Sequence, residues 1–327
     1  MAYLCCVNET SRASGPGSNS GSTQGGGLAA RKATRFRQLL RSPELTFLME
    51  AHDGLSARIV EETGFLGIWA SGLTISSAMG VRDCNEASWT QVLDVLEYMS
   101  DATSIPIMAD GDTGYGNFNN VRRLVRKLCE RGVAAVCIED KLFPKMNSFI
   151  GEGQELADVD EFCGRIQAGK DSQTVEDFSL IARTEALISG KGLDEALRRA
   201  EAYHAAGADG VLVHSKASHA GEVLAFMREW GNRCPVVIVP TKYYATPTEQ
   251  FRQAGVSMVV WANHNLRASI TAMRDLSRHV FEEQTLAQIE GHIASVEDIF
   301  TLAGNAELDA AEKRYLVKTD NPRGRAP

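Results

Sequence analysis

Residues 139–148, EDKLFPKMNS, place two carboxylates, two lysines, an amide and a hydroxyl within ten positions. They follow AAVCI, a short apolar run of the kind that forms a buried strand. Glu139 and Asp140 are therefore expected where that strand ends, with Lys141, Lys145, Asn147 and Ser148 on the loop that leaves it. Carboxylates at a strand end can hold a divalent cation. Lysines and an amide on the following loop can close over an anion. The simplest chemistry for this set is a metal-bound anionic substrate beneath a mobile lid.

Other stretches carry matching groups. In ADGDTGYG, Asp110 and Asp112 lie two residues apart and are followed by glycines that keep the loop slim. With Glu139 they are expected to form a metal centre. A hard-oxygen donor set with no neighbouring His or Cys cluster favours Mg2+ over zinc. The bland alternative is a pair of Asp residues capping a helix or turn. In SGL, Ser71, Gly72 and Leu73 are small or slim enough at the backbone for N–H groups to approach a carboxylate or enolate oxygen; the same letters also suit a plain turn. Arg183 can grip phosphoryl oxygens through its planar fork. His214 can donate to the same group, although taken alone it reads more readily as a satisfied, partly buried histidine. Glu185 is expected to position Arg183 or a metal-bound water.

These groups need a scaffold that collects strand ends. Apolar runs near 45–50, 66–70, 105–110, 134–139, 179–184, 210–214, 235–240 and 257–262 alternate with helical patterns such as 88–101, 119–131, 158–168, 194–206 and 220–231. Eight such units predict an α/β fold of the (β/α)8 TIM-barrel type, with the site at the C-terminal ends of the strands. Those ends hold Ser71, Asp110, Asp112, Glu139, Arg183, Glu185, His214 and Asn263. Gly-bearing turns in RGVAA, AGADG and AGVSM precede strands, as helix C-caps should. Helical patterns at about 265–302 continue past the eighth strand. The expected organisation is a disordered Gly/Ser-rich tail over 1–30, a barrel with a helical extension over 31–303, and a C-terminal tail over 304–327.

Composition narrows the classes. The 44% hydrophobic and 23% charged content is that of a globular protein, and no apolar stretch is long enough to span a membrane. A net charge of −8 gives no reason to expect a nucleic-acid partner. It also means that an anionic substrate needs a local cation. Cys5, Cys6, Cys84, Cys129, Cys137, Cys163 and Cys234 lack zinc-site spacing, and Cys129 and Cys137 sit in apolar patterns as core thiols. An odd, dispersed set suits a reducing cytoplasm. The first residues lack a secretory signal, and a small-molecule substrate is the expected partner.

EDK, five residues, then NS resembles the signature of the phosphoenolpyruvate mutase family within the isocitrate lyase superfamily. The resemblance continues through WASGLTISSAMGVRD (69–83), ADGDTGYGN (109–117), ARTEA (182–186), HSK (214–216), VPTKYYATP (239–247) and WANHNLRAS (261–269). It implies an isomerase that interconverts phosphoenolpyruvate and 3-phosphonopyruvate by Mg2+-dependent intramolecular phosphoryl transfer, the first step of phosphonate biosynthesis. It implies that Asp110 ligates the metal directly, while Asp112, Glu139 and Asp83 act mainly through water. Trp69 would form a wall and Ser71, Gly72 and Leu73 a backbone cradle. Arg183, His214 and Asn147 would hold the moving phosphoryl group, with Ser148 alongside, Lys145 on the lid and Asp83 the best-placed acid. A C-terminal helix exchanged between subunits of a homodimer or homotetramer is also implied. Phosphonopyruvate hydrolases share most of this rim but tend to carry Thr in place of the lid Asn. The C–C lyases of the superfamily usually carry a lid cysteine that KLFPKMNS lacks.

Overall fold

The computed structural model describes residues 24–148 and 154–316. Eight strands, β1 (Thr46–Ala51), β2 (Ile68–Ala70), β3 (Ile107–Asp110), β4 (Ala135–Glu139), β5 (Ser179–Thr184), β6 (Gly210–Val213), β7 (Val236–Ile238) and β8 (Met258–Trp261), pair in parallel in chain order. β8 returns to β1, with Thr46 opposite Met258, and closes the barrel. Every strand expected from the sequence is present; β2 and β7 are the most curtailed.

A parallel barrel buries its strands on both faces, which is why they read as continuous apolar runs. In β4 the side chains alternate: Val136 and Ile138 face the surrounding helices, while Ala135 and Cys137 face the interior. The interior is filled by Leu48, Met108, Ile181, Leu212, Val237 and Met258, with Trp69 above them on β2. It is therefore a packed core, and only its C-terminal rim is open for chemistry.

Helices α1 (Gln24–Leu40), α2 (Gly54–Glu62), α3 (Gly72–Ala78), α4 (Trp89–Ala102), α5 (Phe118–Glu130), α6 (Val159–Ser172), α7 (Gly192–Ala205), α8 (Gly221–Trp230) and α9 (Thr248–Gln253) surround the strands. Asp53, Ser71, Ser88, Asn117 and Asp158 cap helices by accepting backbone N–H groups. Gly132, Gly207 and Gly255 have positive φ in the turns that feed β4, β6 and β8, which the sequence marked as C-caps.

α1 closes the bottom of the barrel. Phe36 and Leu40 are fully buried in the interior cluster, and Lys32 donates to the Ser100 carbonyl at 2.6 Å. The helix begins at Gln24, so residues 24–30 are helical although their composition reads as coil. Anchoring of residues 31–40 supplies the costly nucleus, and extension from it is cheap. The rest of the predicted tail, residues 1–23, lies outside the described residues.

Beyond β8 run α10 (His264–Glu283), α11 (Val296–Ala303) and α12 (Asn305–Tyr315). α12 falls within the stretch assigned to the C-terminal tail, and its AELDAAEKR sequence is rich in helix formers. Residues 317–327 lie outside the described residues. Among the described residues no helix is long and apolar enough to cross a membrane. Cys84, Cys129, Cys137, Cys163 and Cys234 are free thiols, with Cys129 and Cys137 in the core as expected.

Candidate active site at the C-terminal rim

The strand ends deliver the predicted groups to one mouth. Asp110 and Glu139 are the last residues of β3 and β4, Arg183 lies in β5, and Ser71 and His214 directly follow β2 and β6. They surround a cavity of about 50 Å3. Of the predicted metal, catalytic and substrate-binding residues, all but Gly72 and Asp112 line it. Asn263, after β8, also lines it, together with Val239, Thr241 and Ala262.

One side is anionic. SGL is the start of α3 rather than a free turn, with Ser71 as its N-cap. Asp110 accepts from the Gly72 N–H and the Asp112 N–H, both at 3.2 Å. A Cβ at position 72 would lie 3.1 Å from an Asp112 oxygen and 3.2 Å from an Asp110 oxygen, so only glycine leaves both carboxylates in place. Asp112 adopts a left-handed φ of +50°, an uncommon conformation held by the Glu139 N–H, which donates to the Asp112 carbonyl at 2.7 Å. Burial pushes the Asp112 carboxyl up to about 7; Lys145 opposes this, and Asp110 and Asp83 add to it. Glu139 is likewise raised by burial, against the attraction of Arg183.

The adjoining side, on β5 and β6, is cationic. Arg183 pairs with Glu139 at 3.3 Å and more closely with Glu185, and its Nη2 donates to Ser148 Oγ at 2.9 Å. His214 Nδ1 lies 2.8 Å from both Arg183 Nη2 and Glu185 Oε1. A guanidinium cannot accept, so this nitrogen either accepts from Arg183 or donates to Glu185, one at a time. Burial, then Arg183, lower the His214 pKa, which keeps the imidazole neutral near pH 7. Glu185 stays ionised: burial opposes this, but Arg183 holds it well below the usual carboxylate range.

The loop after β4 is seated over this mouth. Lys145 is 5% exposed, and its ammonium lies 2.8 Å from Asp83 and in closer contact with Asp112. Asn147 Nδ2 donates to Asp83 at 2.6 Å. Leu142 and Phe143 on the loop are exposed, and Met146 is half exposed while also lining the cavity. Residues 149–153 lie outside the described residues.

Sequence reasoning treated EDK as one cluster, and the structure divides it. Asp140 points away from the cavity and accepts from the Glu185 N–H at 2.8 Å, Tyr203 OH at 2.6 Å and Arg199 at 3.1 Å. It braces β5 against α7. Lys141 is buried beneath the lid, donating to Ser148 Oγ at 2.7 Å and the Met146 carbonyl at 2.9 Å. The period-two alternation of side chains past a strand end could have signalled this split. Asn85, which bonds both Asp112 and the Lys145 N–H, had no such signal.

The donor set suits a hard cation. Its atoms are carboxylate oxygens, and buried Glu139 Oε1 has no hydrogen-bond partner among the described residues. No group of three or more His, Cys, Asp or Glu among the described residues is drawn into a ready-made metal cluster. The Lys145 ammonium supplies the positive charge between Asp83 and Asp112.

A closed (β/α)8 barrel with acidic and basic walls facing one lidded rim cavity defines an enzyme that handles a small anion. The sequence model described as phosphoenolpyruvate phosphomutase matches residues 36–281. A phosphoenolpyruvate phosphomutase from Tetrahymena pyriformis is 58% identical over 289 residues, spanning 88% of this chain and 96% of that protein. A solved phosphoenolpyruvate phosphomutase from Streptomyces platensis subsp. rosaceus has a TM-score of 0.86 and 48% identity, covering 87% of this chain and 99% of that one. A solved phosphonopyruvate hydrolase in complex with oxalate and Mg2+ has a TM-score of 0.83 and 36% identity, covering 88% and 99%. The chain belongs to the phosphoenolpyruvate phosphomutase family of the PEP mutase/isocitrate lyase superfamily.

Proposed function

We propose that the protein is an isomerase that interconverts phosphoenolpyruvate and 3-phosphonopyruvate, the entry step of phosphonate biosynthesis. The P–O bond to the enol oxygen breaks, and a bond forms between phosphorus and C3 of the same pyruvate unit. The high identity to phosphoenolpyruvate phosphomutases favours this reaction over hydrolysis or C–C cleavage. The structural observation that carries it is one cavity with Arg183, His214 and Ser148 facing Asp110 and Glu139, beneath a lid that presents Asn147 and no cysteine.

Each residue has a role in this reading. Asp110 would hold Mg2+ directly, with Asp83, Asp112 and Glu139 acting through its waters; the ion would stabilise enolate charge. The Leu73 N–H and the wall of Trp69 fix the three-carbon unit, the Gly72 N–H being taken by Asp110. Arg183, neutral His214, Ser148 and Asn147 receive the phosphoryl oxygens. A loose transition state asks mainly for such positioning and charge stabilisation. The cavity now has room for a few waters, so the lid must lift to admit substrate and reseat to exclude water. Phosphorus NMR of purified protein with phosphonopyruvate and Mg2+ is expected to show conversion to phosphoenolpyruvate. Release of only pyruvate and phosphate would move the assignment to the hydrolase reaction.

The reading extends to assembly and location. α10 has 20 residues, of which only Leu266 is buried. Phe281 is 83% exposed, and Val296, Ile299 and Phe300 on α11 are exposed as well. α11 touches α2 of the same barrel, and the apolar surface left open on α10 and α11 suits a second copy of the chain, with the C-terminal helix exchanged. Light scattering is expected to give a dimer or tetramer, and Phe281→Asp combined with Phe300→Asp should shift it towards monomer. A monomeric wild type at micromolar concentration would refute the exchange. The free thiols suit a reducing, cytoplasmic setting.

A further inference from the structure

Asn85 joins the lid to the carboxylate loop. Its Nδ2 donates to Asp112 Oδ2 at 2.7 Å, and its Oδ1 accepts the Lys145 backbone N–H at 2.7 Å. The Lys145 neighbour dictates the orientation of the amide, because a backbone N–H can only donate and must meet Oδ1. Its backbone is left-handed, φ +60°, a conformation that Asn tolerates better than most side chains. The side chain does not line the cavity, so it has no direct access to substrate.

We propose that Asn85 is a positioning residue that couples closure of the lid to the placement of Asp112. Three contacts seat the lid on residues 83–85: the Lys145 N–H on Asn85, the Lys145 ammonium on Asp83, and the Asn147 amide on Asp83. Of the two seating residues, Asn85 alone also holds the Asp112 side chain. When the lid lifts, Asp112 loses the Lys145 ammonium while Asn85 loses its lid partner. Reseating restores both together, so the carboxylate loop reaches its reactive arrangement only under a closed lid.

The kinetic arm of the test rests on the mutase reading, and the proteolytic arm does not. Asn85→Gly keeps the left-handed backbone and removes both ends of the clip. Asn85→Asp keeps the acceptor for the Lys145 N–H but sets a second carboxylate against Asp112. Lys145 is buried in the closed lid, so tryptic cleavage after it reports opening. In metal-free protein the Gly variant is expected to be cut there about tenfold faster than wild type, the scale of one lost hydrogen bond. Its kcat should fall by about tenfold or more while KM and melting temperature change little. The Asp variant should stay protected while sharing the low kcat. A Gly variant as protected and as active as wild type overturns the proposal, as does an Asp variant with wild-type kcat. If the wild type shows no mutase turnover, the functional reading fails and the cleavage rates alone decide the role of Asn85.

Discussion

Asp110→Ala is expected to lower mutase turnover by on the order of 10³-fold while the barrel stays folded. The side chain sits at a polar rim, where its partners are the N–H groups of Gly72 and Asp112. Its removal takes away no apolar packing, and water can reach the freed donors, so the melting temperature should fall only slightly. Wild type should gain thermal stability on adding Mg2+ and the variant should not, which separates loss of the ion from loss of chemistry. A large fall in melting temperature would assign Asp110 a structural role. Near-normal wild-type turnover after exhaustive chelation would sink the metal reading.

Asn147→Ala should cost about 2–4 kcal/mol of transition-state stabilisation, the range for removing one preorganised donor to developing charge. The amide donates to Asp83 while its backbone carbonyl accepts from Gln154 at 2.9 Å, so the loop retains an anchor when the side chain is truncated. The loss should appear in kcat, with KM and the melting temperature little changed, because the contact is made mainly during transfer. Asn147→Thr should divert part of the flux to pyruvate and phosphate, read directly by phosphorus NMR. Unchanged turnover in the Ala variant would refute this role. The structure refines the expectation in one respect: Asn147 rests against Asp83 and so belongs to the lid seat as well as to the cavity wall.

The barrel was legible in the sequence because each strand is a short apolar run bounded by turn residues, and β2 to β8 all end near polar groups. AAVCIED shows both features: four of its apolar residues, Ala135 to Ile138, run into Glu139 as β4, and the carboxylates appear where the strand meets the rim. The (β/α)8 arrangement then turns seven separate strand ends, those of β2 to β8, into one site. Tail boundaries were less legible. Residues 24–30 and 305–315 are helical through extension from an anchored segment or through local helix propensity, and Gly/Ser composition near one of them masked this.

The sequence by itself determined the fold class, the order of the strands and the chemical inventory of the rim. Periodicity and residue type are local properties, and they survive in the linear chain. Tertiary structure decided which of those groups act together. Asp140 and Glu139 are neighbours in sequence, yet one braces α7 while the other faces the cavity, since side chains at a strand end diverge. Lys141 and Lys145 look equivalent in sequence, but the first supports the lid from below and the second neutralises Asp83 and Asp112. Asn85 gained its two partners from segments 27 and 60 residues away. Contacts over such separations depend on how the loops converge above the barrel, and no local pattern encodes that geometry.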